Sequence, residues 1–417
     1  MQTPKGTRDL FGEELMSIRR VEEAARRVFS RFCYQEVETP IFEHLEIFTK
    51  KSGADVVKQI YSFRDKGGKE LALRPELTAP VVRFYVQKLK SHPKPLKLCY
   101  FGSCFRYEEP QAWRYRQFRQ AGAEIIGAPT PEADAELVIL SDAVMKETGL
   151  KGYEIRIGNV GVLRELLKEA GIEESLQDPL LRAIDSKDEK RIAEEFRRAK
   201  VNDKTAVKIK EILALRGEKN ALEKAESIIG ESSGIKYLQK VSSLLNFLKV
   251  KYSVDLGIAR GLDYYTGFVF EVYCRGVQIA GGGRYDGLIR LFGGGATPAT
   301  GVGFGIDRIS ELLINQGIKT SAAPPTAIVI PVKRHLMENS FAIAMMLREA
   351  GIATEVELAE RKLEKAMAHA AAIGAKAAVV VGPRELQNMK VTVKDMKSGQ
   401  QEEVKIDRLV EKLKSFS

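Results

Sequence analysis

The sequence predicts an α+β protein with a helical section in the middle and a small α/β domain at its C-terminus. Residues 98–126 contain two strand-like stretches joined by a polar loop, and residues 252–305 combine β-type runs with many glycines. Residues 171–248 contain charged helical runs with few glycines, and strand-like and helical stretches alternate beyond residue 326. Such alternation is typical of an α/β domain, whereas strands grouped apart from helices are typical of an α+β domain.

The length and composition indicate an ordinary globular protein. The 417 residues suffice for a large core domain and at least one smaller one, and 44% of them are hydrophobic. Residues 1–14 mix charges of both signs without an apolar stretch, which argues against a secretory signal, and no later stretch reaches the length of a membrane span. We therefore expect a cytoplasmic protein.

Cysteines and histidines are few and scattered. The four cysteines form no CxxC pair and the four histidines match no common zinc spacing, so the sequence favours neither a zinc site nor a disulfide framework. We expect reduced, mostly buried thiols, ordinary surface imidazoles and no metal held by protein side chains. The residues are Cys33, Cys99, Cys104, Cys274, His44, His92, His335 and His369.

The charge of the chain suits an anionic partner. The formal net charge is +10, although many basic proteins bind no polyanion. The two familiar glycine motifs for phosphate are absent, since neither GxxxxGK[ST] nor a helix-opening GxGxxG occurs. A bound nucleotide would therefore have to be held by arginines and metal.

The elements follow one another in a regular order. Residues 14–32 predict an amphipathic helix, and an extended stretch at 35–39 stops at Pro40, which cannot continue a central strand. Residues 171–248 predict a helical insertion with its own small core. After a linker at residues 317–326 we expect a strand, a helix, a strand, a helix and a strand, at residues 327–330, 335–350, 353–356, 362–373 and 377–381.

The second strand of the 98–126 pair predicts one polar and one apolar face. Side chains alternate between the faces of a strand, so Ala121, Ala123 and Ile125 share a face typical of core. The other face is typical of a polar pocket floor, although a half-solvated antiparallel sheet would give the same pattern. That face carries Phe118, Gln120, Gly122 and Glu124.

Two glycine-rich segments, residues 255–267 and 279–287, also carry charged and aromatic residues. Glycine lets the backbone approach a ligand closely. The alternative is a pair of tight turns between strands. Turns need glycine but do not need Arg260, Asp263 and Tyr264 together, so we favour a ligand site.

Residues 301–308 run from a glycine-rich stretch into a helix whose first turn carries Arg308. The helix dipole disfavours an exposed cation there by roughly 0.3–1 kcal/mol. A residue placed against local preference is typical of a functional site. Together with the preceding segments, this position predicts an arginine-rich, glycine-lined site for an anionic ligand.

These segments resemble the class II aminoacyl-tRNA synthetases, and in detail their histidine-specific family, over nearly the whole chain. Motif 1 resembles the helix and strand ending at Pro40, motif 2 resembles residues 105–124, and motif 3 resembles residues 303–308. The more specific similarities are at residues 73–78, 260–265 and 282–287, and residues 4–9 and 381–386 are also similar to the histidine-specific family.

The resemblance implies a six-stranded antiparallel sheet with flanking helices, a helical insertion and a C-terminal α/β anticodon-binding domain. The implied boundaries are residues 1–165 and 251–320 for the catalytic core, 166–250 for the insertion and 326–417 for the anticodon-binding domain. It also implies a homodimer with motif 1 at the interface.

The resemblance further implies that ATP activates L-histidine as an adenylate, with magnesium, before transfer to tRNA(His). Arg106 would bridge the histidine carboxylate and the α-phosphate, Arg308 would contact the γ-phosphate, and Arg260 would lie against the α-phosphate. The remaining implied ATP-binding residues are Glu108, Arg114 and Phe118.

The same resemblance implies a histidine pocket. Glu76, Thr78 and Gln120 would hold the α-amino group. Glu124 and Tyr265 would bond to the two ring nitrogens. Tyr264 and Tyr285 would complete the walls, and Arg106 and Arg260 would reach the carboxylate end.

The chain departs from the family pattern at Glu109, Trp113 and Arg119, in and beside the motif 2 loop. Two non-catalytic alternatives share the fold. One is the synthetase-like regulatory subunit of ATP phosphoribosyltransferase, and the other is an RNA-binding sensor module. The tail beyond residue 326 and the presence of Arg260, Tyr264 and Tyr265 favour the enzyme.

Overall fold

A computed structural model describes residues 1–49, 58–109, 113–217, 220–258, 264–318, 320 and 324–415. The chain forms two compact units, Met1–Ser321 and Ala322–Ser417. The strands of the first unit are β1 (Gln35–Glu36), β2 (Phe42–His44), β3 (Ser62–Arg64), β4 (Glu70–Leu73), β5 (Leu96–Phe105), β6 (Gln117–Ile126), β7 (Tyr153–Asn159), β8 (Ser253–Val254), β9 (Phe268–Cys274), β10 (Val277–Arg284) and β11 (Ala299–Gly305).

The helices of the first unit precede, flank and interrupt these strands. They are α1 (Gly12–Arg31), α2 (Glu46–Thr49), α3 (Thr78–Phe84), α4 (Pro131–Thr148), α5 (Val160–Glu169), α6 (Glu174–Ser186), α7 (Glu189–Arg198), α8 (Asp203–Ala214), α9 (Ala221–Ile229), α10 (Ser233–Phe247), α11 (Leu288–Leu291) and α12 (Ile306–Asn315).

A large mixed sheet organises this unit, in the order β1-β5-β6-β11-β10-β9-β7-β8. The six strands from β5 to β7 in this order are all antiparallel. The predicted six-stranded antiparallel sheet is therefore confirmed as the centre. Its strand count is corrected to eight, because the two-residue strands β1 and β8 pair in parallel with its edges. A smaller sheet has the order β2-β4-β3.

Helix α1 covers the apolar face of the large sheet. Its predicted apolar stripe is buried, and the ring of Phe29 lies 5.9 Å from that of Phe304 in β11. Ala121, Ala123 and Ile125 are at most 2% exposed, so the face predicted as core is confirmed. This burial leaves the opposite face of β6 free to carry polar side chains.

The helices between β7 and β8 correct one expectation. Their buried apolar residues, such as Leu180, Ile209 and Leu238, belong to the same hydrophobic core as the large sheet, so the predicted separate core is wrong. Helix α10 packs directly on α4, where the Tyr237 hydroxyl donates to Asp134 Oδ2 at 2.5 Å. The sequence predicted the charged outer faces of these helices, but a local pattern does not show which elements their inner faces contact.

The second unit contains β12 (Ala327–Pro331), α13 (Met337–Glu349), β13 (Thr354–Val356), α14 (Leu363–Ala372) and β14 (Ala377–Val381), as the alternating pattern predicts. Strand β12 pairs in parallel with both β13 and β14. The chain continues through α15 (Pro383–Gln387), β15 (Lys390–Asp395), β16 (Gln401–Lys405) and α16 (Leu409–Lys414).

The antiparallel hairpin β15–β16 was not predicted. Its strands are rich in charged residues, and this composition is not typical of strands. The signal was the alternation of Val391 and Val393, whose side chains are buried, with polar neighbours, followed by a turn containing Gly399.

Cys99, Cys104 and Cys274 are buried and Cys33 is exposed, so the expectation of mostly buried free thiols is confirmed. Within the described ranges, no group of three or more His, Cys, Asp and Glu side chains could hold a metal ion. No helix in the same ranges is both long and apolar enough to cross a membrane.

Arg284, within the family-like segment 282–287, fixes the sheet to a helix. Its guanidinium pairs with Asp134 of α4 through Nε–Oδ2 at 3.0 Å and Nη2–Oδ1 at 3.1 Å, and the two side chains are 6% and 0% exposed. It also donates to the carbonyl oxygens of Ala128 and Thr130. Arg284 therefore has a structural role.

We expect Arg284→Met to destabilise the protein by roughly 3–5 kcal/mol, because Asp134 would remain buried without its counter-charge. Urea unfolding followed by circular dichroism measures the change. The control is Arg64→Met, which breaks an ion pair whose side chains are 74% and 59% exposed and should have a small effect. Equal losses in the two variants would contradict the structural role.

Candidate active site

A cleft opens on the polar face of the large sheet. The loop between β5 and β6, strands β6, β10 and β11, and the first turn of α12 form its walls. The lining residues are Arg106, Glu108, Trp113, Arg114, Tyr115, Phe118, Arg119, Gln120, Gln278, Ile279, Ala280, Gly281, Gly303, Gly305, Asp307 and Arg308. Trp113, Tyr115, Gln278 and Asp307 were not among the predicted ligand contacts.

Three arginines enter this cleft with little charge compensation. Arg308 donates through Nη1 to Gln278 O at 2.8 Å and through Nε to Trp113 O at 3.2 Å. Within the described chain, Glu108 is the carboxylate that comes within 4.0 Å of Arg106 and Arg114, at 3.9 and 4.0 Å. Such a cluster favours an anion.

The arginines of this cluster repel one another. Burial lowers the pKa of Arg308, and the positive charges of Arg114 and Arg106 lower it further. Both of the protein acceptors that hold Arg308 are neutral carbonyl groups. A negatively charged ligand would therefore relieve an unfavourable interaction between the arginines as well as form new bonds.

Glycines in β11 make room for the polar side chains of β6. Gly301 lies opposite Glu124, and a Cβ at position 301 would lie 1.6 Å from Glu124 Oε2. A Cβ at Gly303 would lie 2.5 Å from Gln120 Nε2. Positions 301 and 303 of β11 must therefore be glycine, because a side chain there would overlap Glu124 or Gln120.

Glu124 is a fully buried carboxyl group surrounded by phenols. It accepts hydrogen bonds from the hydroxyl of Tyr100, at 2.8 Å, and from the hydroxyl of Tyr285. Burial raises the pKa of Glu124 to about 8, against the opposing effect of these hydrogen bonds. The rings of Tyr264 and Tyr265 lie 4.8 Å apart, and that of Tyr264 lies 5.8 Å from Tyr285.

Tyr100 was missed by the sequence analysis. Its hydroxyl lies 2.8 Å from Glu124 and 3.3 Å from Thr78 Oγ1. It pairs across β5 and β6 with Gly122, where a Cβ would lie 2.3 Å from the ring. The available signal was an aromatic residue placed opposite a glycine in a predicted hairpin.

Glu76 and Arg106 meet at the start of α3. Glu76 accepts the backbone N–H groups of Thr78 at 2.5 Å and Ala79 at 2.9 Å, and burial raises its pKa. Arg106 Nε donates to Pro75 O at 2.9 Å. The segment 73–78 therefore joins the predicted α-amino and phosphate contacts.

Two of the remaining predicted positions, Arg260 and Asp263, lie outside the described residues. Arg119, one of the departures from the family pattern, turns its side chain away to Glu22 of α1, at 2.8 Å.

We expect the protonation of Glu124 to make stability depend on pH. Its pKa of about 8 in the folded protein exceeds the value of about 4.3 in an unfolded chain, so the folded state alone keeps the proton between these values. Stability should therefore fall as pH rises from about 5 to 8 and then level off. Glu124→Gln should lack this component when melting temperatures are measured without ligand.

The control for this pH series is Glu70→Gln at an exposed position, which should follow the wild type at every pH. A constant difference between wild type and Glu124→Gln across the series would contradict the raised pKa.

Comparison with known proteins identifies the family. The histidyl-tRNA synthetase family model matches residues 6–309, and an anticodon binding domain model matches residues 326–416. Curated histidine–tRNA ligases of Archaeoglobus fulgidus and Methanocaldococcus jannaschii are 40% and 42% identical to the chain, over 96% and 98% of both sequences.

Solved structures agree with these matches. The histidyl-tRNA synthetase of a Nostoc species is 26% identical, covers 99% of both chains and superposes with a TM-score of 0.81. A Bacillus halodurans protein described as an ATP phosphoribosyltransferase regulatory subunit/histidyl-tRNA synthetase is 27% identical, with a TM-score of 0.77 over 88% of this chain and 96% of that one. On these matches and the site geometry, the chain belongs to the histidyl-tRNA synthetase family.

Proposed function

We propose that this protein is a histidine–tRNA ligase, which uses ATP to attach L-histidine to tRNA(His) through a histidyl-adenylate. The observation that carries the proposal is the placement of three poorly compensated arginines around one cleft on the sheet face that also carries a buried, phenol-bound glutamate. The arginines suit a triphosphate, and the glutamate suits a ring that donates a hydrogen bond.

We assign the cleft to ATP. Arg106, Arg114 and Arg308 would neutralise the phosphate oxygens, because guanidinium groups bind phosphate through paired hydrogen bonds and keep their charge. Phe118 lines the cleft and offers an aromatic face to the base. Its ring centroid lies 5.3 Å from the guanidinium carbon of Arg106.

We expect magnesium to accompany the nucleotide. Magnesium is commonly held by substrate phosphates and one or two carboxylates, and Glu108 is a carboxylate that lines the cleft. The metal would supply positive charge to the phosphate groups.

We assign the phenol-lined region to the histidine side chain. A carboxylate offers about four lone-pair positions, so Glu124 can accept a ring N–H in addition to its bonds from Tyr100 and Tyr285. Tyr265 would bond to the other ring nitrogen, and Tyr264 with Tyr285 would form the walls. A pocket built on such hydrogen bonds rejects analogues that lack them by factors of roughly 10⁴–10⁵.

At the other end of the substrate, Glu76, Thr78 and Gln120 would hold the α-amino group. The polar atoms of Gln120 lie on the same sheet face as those of Glu124, since positions two apart in a strand face the same way. Glu76 keeps further acceptor capacity beside its two backbone bonds.

The chemistry then requires mainly positioning and charge stabilisation. The histidine carboxylate attacks the α-phosphorus and pyrophosphate leaves. Arg106 would bridge the attacking carboxylate and the α-phosphate, and Arg308 would hold the γ-phosphate as it departs. Arg260, which we expect at the α-phosphate, lies outside the described residues. A ribose hydroxyl of the tRNA 3′ end then takes the histidyl group from the adenylate.

We propose that residues 1–165 and 251–320 form the catalytic core, with residues 166–250 inserted, and that residues 326–417 bind the anticodon. The net charge of +10 supports an RNA partner, because basic side chains that neutralise phosphates release counterions.

We also propose a homodimer. Ile41, Phe42 and Phe63 are 50%, 53% and 44% exposed on or beside the small β2-β4-β3 sheet, and the two phenylalanine rings lie 6.4 Å apart. A cluster of exposed apolar side chains is typical of a protein interface. Ile41 directly follows Pro40, where the motif 1 segment ends, and this position supports the proposed motif 1 interface.

We expect Phe63→Glu to convert the dimer to a monomer at micromolar concentration, because a carboxylate would be buried without a partner in the interface. Sedimentation velocity measures the change. Phe247→Glu, at an aromatic side chain of α10 that is 83% exposed, is the matched control and should leave the mass unchanged. A monomeric wild type would contradict the proposed dimer.

We expect ATP–pyrophosphate exchange with histidine alone when each of the twenty amino acids is tested separately. Arg106→Met should lower this exchange by about 10²-fold or more, since it removes a charge that stabilises the transition state. Exchange with another amino acid would contradict the specificity. A folded wild type without any exchange would favour the regulatory subunit named for the Bacillus halodurans relative.

A further inference from the structure

The N-terminal segment, residues 4–9, lies against the arm of the motif 2 loop that leads into β6. Gly6 O accepts the backbone N–H of Arg116 at 2.8 Å. Gly6 has a φ of +81°, and a Cβ there would lie 2.7 Å from Arg116 Cγ, so the two segments are in close contact. Arg116 also donates through Nε to Glu108 O at 3.1 Å.

Arg8, two residues further on, joins this loop arm to helix α12. Its Nη2 donates to Asp307 Oδ1 at 2.6 Å and its Nη1 donates to Glu311 Oε1 at 3.1 Å. Its guanidinium carbon lies 3.8 Å from the centre of the Tyr115 ring. The Tyr115 hydroxyl in turn donates to Glu311 Oε1 at 2.5 Å.

Each contact of Arg8 lies close to a cleft arginine. Asp307 directly precedes Arg308, and Tyr115 directly follows Arg114. Asp307 also accepts the backbone N–H of Arg119, at 2.5 Å, so the same carboxylate fixes strand β6 beside Phe118 and Gln120. Arg8 itself is not among the residues that line the cleft.

The charges of this network are arranged in two layers. Asp307, which lines the cleft, and Glu311 would repel a triphosphate held by Arg308, and Arg8, which lies outside the lining, pairs with both and offsets part of their charge. The side chains of Arg8 and Asp307 are 20% and 7% exposed, so water screens their interaction only partly.

We propose that Arg8 is a positioning residue for ATP: it fixes Asp307, Glu311 and Tyr115 so that Arg308 and Arg114 face the phosphates, and its positive charge offsets part of the negative charge of the two carboxylates. This inference rests on the proposed function of the cleft. In the described contacts the partners of Arg8 belong to the ATP wall, and Glu124, Tyr264 and Tyr285 are not among them. The effect should therefore fall mainly on ATP.

The test is steady-state ATP–pyrophosphate exchange by Arg8→Met and Arg8→Lys, with KM determined for each substrate. In Arg8→Met, the KM for ATP should rise by roughly 10- to 100-fold, as expected for losing hydrogen bonds to charged groups. The KM for histidine should stay within about twofold. Arg8→Lys keeps the charge but cannot bridge both carboxylates, so it should give an intermediate KM for ATP.

Arg27→Met is the matched control, because Arg27 of α1 forms an ion pair with Glu147 and neither residue lines the cleft. It should leave both KM values unchanged. Unchanged KM values in Arg8→Met, a fall in kcat alone, or a parallel rise of both KM values with a lower melting temperature would each overturn the positioning role. If Arg8→Met does not fold, Arg8→Lys decides by the same criteria.

Equilibrium dialysis with ATP separates this inference from the proposed function. A wild type that shows no exchange refutes the ligase, whereas weaker ATP binding by Arg8→Met than by wild type still supports Arg8. Equal ATP binding by the two proteins would overturn it.

Discussion

The polar face of the central sheet depends on glycines placed beside its large side chains. Glu124, Tyr100 and Gln120 lie within this face, and each needs a glycine on the neighbouring strand, where a Cβ would come within 1.6–2.5 Å of its atoms. Glycine weakens a strand, by roughly 0.5–1 kcal/mol relative to alanine. The apolar face offsets this cost, because Ala121, Ala123 and the ring of Phe304 are buried, and the ring of Phe29 in α1 packs 5.9 Å from that of Phe304. One face of the sheet thus stabilises the protein and the other remains available for ligands.

The charged side chains around the cleft are also arranged in a definite pattern. The side chains that point into the cleft include Arg106, Arg114 and Arg308, and Glu108 is their distant carboxylate neighbour. Asp307, which also lines the cleft, and Glu311 are paired at 2.6 and 3.1 Å with Arg8, which lies outside the lining. Arg308 occupies a helix position that the dipole disfavours, and two backbone carbonyls hold it there. The clustered arginines therefore repel one another, and a bound anion would reduce this repulsion.

Local patterns in the sequence could predict the elements but not the contacts between distant ones. The period of two in residues 118–125 gave both faces of β6, and the apolar stripe gave α1. The register of β6 against β11 joins positions that are distant in sequence, such as Glu124 and Gly301, which are 177 residues apart, and no local pattern contains it. The same limit explains why the inner faces of α6–α10 were assigned to a separate core when they join the main one. Tyr100 is different, because its partner Gly122 lies in the same predicted hairpin.

A segment that resembles a family signature can contain both residues that stabilise the fold and residues that belong to the ligand site, and the sequence alone does not distinguish them. In segment 282–287, Arg284 turns to Asp134 in α4, whereas its neighbour Tyr285 bonds to Glu124. At the start of α12, Asp307 and Arg308 both line the cleft, but Asp307 is held by Arg8 whereas Arg308 is held by backbone carbonyl groups.

These opposite directions follow from backbone geometry. Successive side chains of a strand point to opposite faces, and successive positions of a helix differ by about 100°. Residues that stabilise the scaffold and residues that we assign to substrate contacts therefore alternate along one segment. Replacing a whole motif would remove both contributions together, and only substitutions at single positions can separate positioning from contact.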